Sequence, residues 1–216
     1  EDFCANQEAV EKFTLDKPAL VCRWRMSNKK VPMLNRHIRA LSERLVQGEP
    51  LTHNMLSWAK QHVEWSLAEG DYTAHDGVLM LVIDINGNAA MTVGEYEPLA
   101  DTSAKALRAR SAEARSEADE TGVAPELLAA VDNGELAFVA PADECLCGTA
   151  TLIEQLAQTK GIPVTRVDIP AQLKGALFLV SDEHGVVSAT ETDAAEADAA
   201  TVAFFADGYE KLRARR

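Results

Sequence analysis

The amino-acid sequence predicts an α+β fold built in two halves. Segments with the two-residue apolar alternation of strands are interleaved with segments whose apolar residues repeat at helical spacing. A length of 216 residues fits one large domain or two small ones. Glu95–Ser103 contains Pro98 and has no periodicity, which favours a division at this point. We therefore expect a small α+β domain at 1–97, a linker at 98–103 and a larger domain at 104–216.

The first half is predicted to run β-β-α-α-β-β. A turn at Asn28–Lys30 joins the first two strands into a hairpin, and a helix from about Arg36 to Val46 follows. Thr52 is predicted to cap a second helix, which ends at Gly70. Asn86–Asn88 is a turn of the kind that closes hairpins. The four predicted strands are Ala19–Arg25, Val31–Leu34, Gly77–Ile85 and Ala89–Val93.

The second half is predicted to contain three helices and five strands. The first helix covers Lys105–Asp119, the second covers Thr149–Lys160 and ends at Gly161, and the third covers Ala194–Arg216. Asp132–Gly134 is a second hairpin turn. The predicted strands are Glu126–Val131, Glu135–Val139, Val164–Ile169, Ala176–Val180 and Val186–Ala189.

Composition and charge exclude several classes of protein. A formal net charge of −13 argues against nucleic-acid binding, which usually needs a basic face. The longest apolar run, Val78–Ile83, is far shorter than the roughly 20 residues of a membrane helix. Glu1–Phe3 lacks the basic and apolar regions of a signal peptide, so we expect a cytoplasmic protein without membrane contact. Cys145–Cys147 is not the C-x-x-C pair of zinc sites, and we expect no metal.

Six segments in chain order match the pattern of one enzyme family. Gly148–Ile169 (GTATLIEQLAQTKGIPVTRVDI) is the most similar, because that family has a G-(I/T)-T-R helix followed by GIPV and a strand. The other segments are Lys30–Leu45, Gly77–Leu99, Thr121–Leu136, Phe178–Val187 and Thr201–Leu212. The chain thus resembles a divergent member of the class IV pyridoxal-phosphate enzymes, which include branched-chain aminotransferases and aminodeoxychorismate lyases. The resemblance implies their two-domain, D-amino-acid-aminotransferase-like fold in an abridged form.

The resemblance also implies a cofactor site for pyridoxal 5′-phosphate. Lys105 lies where the family has K-x-L and would carry the cofactor. Gly148, Thr149 and Ala150 open a helix whose free N–H groups would bind the phosphate, and Ser181 would line the same pocket. Plainer interpretations stay open, because Lys105 also suits a solvated position on a charged helix and Thr149 suits an ordinary N-cap.

Three departures from the family pattern weaken the prediction of activity. Ala40 stands where the family has an arginine that contacts the phosphate. Arg39 is turned away from that position by about 100° around a helix, and it is the candidate to bind the cofactor if the helix shifts register, as is Arg36. The family's glutamate beside the pyridine nitrogen falls on Thr121, with Glu120 adjacent as a candidate substitute. The stretch that follows Lys105 is also shorter, by about one strand and turn, than in the family.

Two functions therefore compete. The first is transfer of an amino group between an amino acid and a 2-oxo acid, or an aminodeoxychorismate lyase-type elimination, with Lys105 as the catalytic residue. The second is a catalytically degenerate family member that acts as a binding or scaffolding protein. An unrelated α+β protein is a third possibility, because fold does not fix function. The family resemblance implies a small-molecule amino acid or 2-oxo acid as partner, and a homodimer.

Overall fold

The computed structural model describes residues 14–70, 74–191 and 193–215. Cys4 and the N-terminal residues on which the leader prediction rests lie outside these ranges. The helices are α1 (Leu34–Ser42), α2 (His53–Glu69), α3 (Ala104–Thr121), α4 (Gly148–Thr159) and α5 (Glu196–Arg213). The strands are β1 (Pro18–Met26), β2 (Leu45–Val46), β3 (Glu49–Pro50), β4 (Gly77–Asp84), β5 (Ala89–Gly94), β6 (Leu127–Asp132), β7 (Glu135–Val139), β8 (Val164–Val167), β9 (Ala176–Ser181) and β10 (Gly185–Ser188).

The N-terminal half is an antiparallel sheet of three strands in the order β1-β4-β5. β4 is the central strand because its residues are apolar along almost its whole length and can be covered on both sides. Trp24 of β1 and Leu79 and Leu81 of β4 are buried in one core with α1 and α2. The Oγ1 atom of Thr52 accepts a hydrogen bond from the Met55 N–H at 3.2 Å, which confirms the predicted cap of α2.

The predicted hairpin between Ala19–Arg25 and Val31–Leu34 is wrong. β1 pairs instead with β4, which offers eight residues for an antiparallel ladder, the six of Val78–Ile83 being apolar. Pro32 has no N–H to give to such a ladder, and Leu34 already begins α1 after a left-handed residue, Met33, with φ of 58°. The predicted helix end at Val46 is also wrong, since α1 ends at Ser42 and β2 follows.

The C-terminal half is a five-stranded sheet in the order β10-β9-β6-β7-β8, antiparallel except for the parallel pair β7–β8. Its two central strands, β6 and β9, are buried along nearly their whole length because helices cover both faces. On one face Leu107 of α3 packs on Leu128 and Leu179. On the other, Phe178 packs against Phe205 of α5 and Ile153 of α4.

The prediction of an α+β fold is confirmed, with one sheet in each half. The turn predicted at Asp132–Gly134 is present, with Asn133 and Gly134 at positive φ between β6 and β7. The boundaries assigned to the two domains and the linker stay a prediction. Within the ranges that the structure describes, we find no helix whose length and apolar character would suffice to cross a membrane.

Candidate functional site

The two halves enclose a small cavity of about 40 Å³. A cavity of this size holds roughly two or three water molecules. Its wall is built by β1 and α1 from the first half, and by α3 and the segments that precede β6 and α4 and follow β9 from the second. The wall carries three thiols, one imidazole and four carboxylates, which are Cys22, Cys145, Cys147, His37, Glu117, Glu126, Asp182 and Glu183.

The N-terminus of α4 reaches this cavity and is capped by a distant carboxylate. The residue before the helix, Cys147, makes no side-chain cap within the described part of the chain. Asp182 directly follows β9 and accepts hydrogen bonds from the N–H groups of Gly148 (3.3 Å) and Thr149 (2.7 Å). A negative charge is favoured there, because the first N–H groups of a helix lack partners and the helix dipole is positive at this end.

The carboxylate of Asp182 is held in its charged form. Burial alone would raise its pKa, but the nearby His37 and the hydrogen bond from the N–H of Thr149 outweigh burial and lower the pKa to about 2. The Nδ1 atom of His37 lies 3.3 Å from Oδ2 of Asp182, which is ion-pair distance without hydrogen-bond alignment. The anion-binding end of α4 is therefore occupied by a permanent charge of the protein itself.

His37 reaches this point because Gly148 has no side chain. The imidazole is buried, stacks on Trp24 with ring centroids 5.4 Å apart, and extends from α1 towards the start of α4. A Cβ atom at Gly148 would lie 2.4 Å from Nδ1 of His37, far inside contact distance. The glycine predicted to approach a phosphate thus makes room for a histidine.

The residues predicted to bind the phosphate differ in their surroundings. Thr149 is fully buried, and its Oγ1 atom has no hydrogen-bond partner among the described residues. Ser181 lines the cavity, but its hydroxyl accepts the backbone N–H of His184 at 2.8 Å. Ala150 is packed into the apolar core of the C-terminal half. The structure thus brings Thr149 and Ser181 near the cavity and leaves Ala150 in a structural role.

Two thiols on the cavity wall, those of Cys22 and Cys147, are held in the protonated form. Burial raises the pKa of Cys22 to about 12 and also raises that of Cys147, which additionally lies beside the charged Asp182. Cys145 is exposed, and its Sγ atom donates to the carbonyl oxygen of Glu43 at 3.1 Å across the boundary between the halves.

Comparison with known proteins gives a match in structure alone. No family model matches the sequence, and no curated protein matches it. Among solved structures, a hypothetical aminotransferase from Mycobacterium tuberculosis in its PLP-bound form matches with a TM-score of 0.60 at 12% identity, over 95% of this chain and 95% of that one. A fold IV-transaminase from Curtobacterium pusillum matches with a TM-score of 0.57 at 15% identity, over 91% and 86% of the two chains.

The chain has the fold of the class IV aminotransferases. A candidate 4-amino-4-deoxychorismate lyase from Legionella pneumophila matches in the same way, with a TM-score of 0.57 at 11% identity, over 91% of this chain and 97% of that one. At such identities the likeness concerns the fold alone. The fold prediction drawn from the six sequence segments is confirmed, whereas the predicted shortening after Lys105 stays a prediction.

Two predicted site residues, Lys105 and Glu120, are exposed to solvent. Lys105 is exposed in the first turn of α3, and Glu120 is exposed near the end of the same helix. One turn before Glu120, Glu117 faces the cavity and forms an ion pair with Arg23 of β1. The roles proposed for Lys105 and Glu120 stay predictions, and the structure keeps both side chains away from the cavity.

The arginines of α1 also lie outside the cavity. Arg39 is exposed and lines an outer groove, while Ala40 contributes to the cavity wall. Arg36 donates to the hydroxyl of Thr151 at 3.1 Å and to the side chain of Gln155, so it fastens α1 to α4. The cofactor contact expected of Arg39 stays a prediction, and the structure places its side chain outside the cavity.

A second group of polar residues, which sequence reasoning missed, borders the same cavity through Glu126 and Glu183. Arg110 of α3 binds both carboxylate oxygens of Glu126, at 3.0 and 2.6 Å. His184 lies with Nε2 at 3.8 Å from Glu126 and Nδ1 at 3.3 Å from the hydroxyl of Tyr96. Glu183, His184 and Glu126 are close enough to share an ion, but Arg110 already neutralises Glu126.

Sequence reasoning assigned no role to His37. The signal was its position, because Leu34, His37 and Leu41 form the buried face of α1. A histidine at such a place needs a polar partner, but the sequence does not reveal which one.

The residues around the cavity do not fit a phosphorylated cofactor as they stand. The N–H groups of Gly148 and Thr149 already bind a carboxylate, and the cavity is far smaller than the 300–1,000 Å³ or so of ordinary ligand pockets. The buried Oγ1 of Thr149 and Nδ1 of His37 remain as polar atoms that an anion with more oxygens would satisfy. Binding of such a group would therefore require Asp182 to move.

Proposed function

We propose that this chain is a catalytically degenerate protein of the class IV fold, which acts by binding or scaffolding and does not transfer amino groups. The observation that carries the proposal is the exposed position of Lys105 in the first turn of α3. Pyridoxal-phosphate chemistry needs a lysine amine at the aldehyde of the cofactor. Among the described residues on the cavity wall there is no lysine.

The charges around the cavity support the same proposal. Asp182 presents a carboxylate to the helix end that would otherwise be free for a phosphate, and its low pKa keeps that charge in place at neutral pH. The departures at Ala40 and Thr121 remove the arginine and the glutamate that the family resemblance leads one to expect. Each change weakens either the binding or the activation of the cofactor.

A second candidate is pyridoxal-phosphate-dependent amino-group transfer or lyase-type elimination. It is favoured by the Mycobacterium tuberculosis neighbour, which is solved with PLP and also in an α-ketoglutarate- and PMP-bound form. On this alternative the partner is a small amino acid or 2-oxo acid. It requires the carboxylate of Asp182 to leave α4 and the amine of Lys105 to turn inwards.

The decisive experiment is a cofactor test on the full chain. The purified protein is incubated with pyridoxal phosphate, treated with borohydride, and digested for peptide mass spectrometry. Amino-group transfer from a panel of amino acids to α-ketoglutarate is measured in parallel. We expect no preferential labelling of Lys105 over the exposed Lys174, and no turnover above the protein-free rate.

The matched variants are Lys105→Ala and Lys174→Ala, which remove exposed lysines of α3 and of the turn before β9. Turnover that is lost in Lys105→Ala and kept in Lys174→Ala would contradict the degenerate proposal and favour pyridoxal-phosphate-dependent amino-group transfer. The homodimer and the cytoplasmic location stay predictions. Sedimentation velocity of the same preparation tests the former.

A further inference from the structure

We propose that the carboxylate of Asp182 takes the place of a phosphate group. It caps the N-terminus of α4 and links the two halves of the chain. The proposal rests on the degenerate function proposed above, in which the chain does not use pyridoxal phosphate. It goes further by predicting that removal of this one carboxylate opens a site for inorganic phosphate.

The first argument is the donor set around the carboxylate. Asp182 uses one oxygen on Gly148 N–H and the other on Thr149 N–H. Two further buried polar atoms, the Oγ1 of Thr149 and the Nδ1 of His37, make no hydrogen bond with a described residue. The Nδ1 atom lies 3.3 Å from Oδ2 of Asp182, and Thr149 is the residue whose N–H binds the other oxygen. Both side chains are more than nine-tenths buried.

The shape of the donor set suits a phosphate better than a carboxylate. A carboxylate has two oxygens, and those of Asp182 are engaged by the two N–H groups at the start of α4. A phosphate has additional oxygens, which would accept the hydroxyl of Thr149 and pair with the imidazole of His37. The buried atoms without partners are thus what remains when a carboxylate stands in a site with donors for a larger anion.

The second argument is the position of Asp182 between the halves. Its carboxylate lies 3.3 Å from Nδ1 of His37 of α1 and caps α4, while its backbone carbonyl accepts the N–H of Arg25 of β1 at 2.9 Å. One residue therefore contacts two elements of the first half and one of the second. Loss of the side chain removes one link between α1 and α4, keeps the one that Arg36 makes, and keeps the backbone link to β1.

The test compares wild type with Asp182→Ala by thermal unfolding in a buffer free of phosphate, then with added inorganic phosphate. Sodium chloride at equal ionic strength is the control for general salt effects. We expect the midpoint of Asp182→Ala to fall by about 4–8 °C, and phosphate to restore most of the loss in a saturable way. Wild type should respond alike to phosphate and chloride.

Asp182→Asn is the matched variant, because it keeps the volume of the side chain and removes only its charge. It should lose stability as Asp182→Ala does but leave no room for phosphate, so phosphate should not restore its midpoint. If Asp182→Ala does not fold, the refolding yield with phosphate against chloride replaces the midpoint. Equal yields, or a phosphate response no larger than that of chloride, would overturn the proposal.

The outcome is separable from that of the cofactor test. The phosphate response depends on Gly148, Thr149 and His37, and Lys105 takes no part in it. Turnover by the wild type would remove the degenerate function whatever phosphate does to Asp182→Ala. A missing phosphate response would overturn the substitute role of Asp182. It would leave the degenerate function standing, because that proposal rests on the exposed position of Lys105.

Discussion

The helices α3 and α4 begin in different ways. α3 starts after Ser103, whose hydroxyl accepts the N–H of Ala106 at 3.2 Å, three positions along the chain. α4 starts without such a local cap within the described residues, and its first N–H groups bind Asp182, 33 and 34 positions away. The start of α3 lies partly in water with Lys105 exposed, whereas the start of α4 is buried.

The difference shows how the source of a cap decides where a helix end lies. A serine directly before the helix accepts a hydrogen bond from a helix N–H group whatever the tertiary surroundings, so such a helix can begin at the surface. A carboxylate from another strand reaches the helix only after the sheet and both halves have packed. The end of α4 is therefore part of the tertiary core, and its disruption should cost more than that of α3.

The largest expected effect is at Gly148. Gly148→Ala places a Cβ atom 2.4 Å from the buried ring of His37, and we expect a loss of about 2–3 kcal/mol in the free energy of unfolding. Urea denaturation measures this loss. In Gly208→Ala, the control, the nearest atom is a methyl of Leu156 at 2.8 Å, which can turn away, and alanine favours the helix. Equal losses in both variants would contradict a special role for the α4 terminus.

The next effect is a dependence on pH. The pKa of Asp182 is about 2 in the folded protein against an ordinary 3.8, so its charge stabilises the fold above about pH 4. This contribution, about 2 kcal/mol, is lost as the pH falls through about 2. Urea denaturation from pH 5 to pH 2 should show wild type and Asp182→Asn converging by that amount. Parallel curves would mean that the carboxylate is not stabilised by its neighbours.

A smaller effect is expected at the local cap of α3. Ser103→Ala removes one hydrogen bond to a helix N–H, and we expect a loss of about 1 kcal/mol. Thr52→Ala is the matched variant, because Thr52 caps α2 with the same 3.2 Å distance. Thermal unfolding of both should give similar losses. A loss at Ser103 as large as that at Gly148 would remove the contrast between the two helix ends.

The smallest effect is expected at Lys105. Because the side chain is exposed, Lys105→Ala should change the free energy of unfolding by no more than about 0.5 kcal/mol. Lys160→Ala should cost slightly more, since the Lys160 ammonium lies 4.6 Å from the ring centroid of Phe204. A large loss in Lys105→Ala, measured by thermal unfolding, would show that the amine makes contacts inside the protein.

The elements that the sequence predicts well are those set by nearby residues. Thr52 and Gly70 bound α2, and Asn86–Asn88 and Asn133–Gly134 close hairpins, because caps and turns depend on a few adjacent side chains. The strand predicted at Val31–Leu34 failed for the opposite reason. Its apolar residues suited a strand, but β4, far along the chain, was the better partner for β1.

The candidate site divides in the same way. Gly148 and Thr149 could be predicted as an anion-binding helix start from their own segment. That the anion is Asp182, and that His37 stands behind it, depends on three elements meeting across the boundary between the halves. No spacing in the sequence records that meeting, so the prediction could name the site but not its occupant.

A charged group that belongs to the chain occupies its site differently from a free ligand that diffuses in and out. The occupancy of a free phosphate at a helix end follows its supply, whereas the carboxylate after β9 is present at a fixed, high effective concentration whatever the surroundings hold. The arrangement of α1, α4 and β9 is then insensitive to metabolite levels.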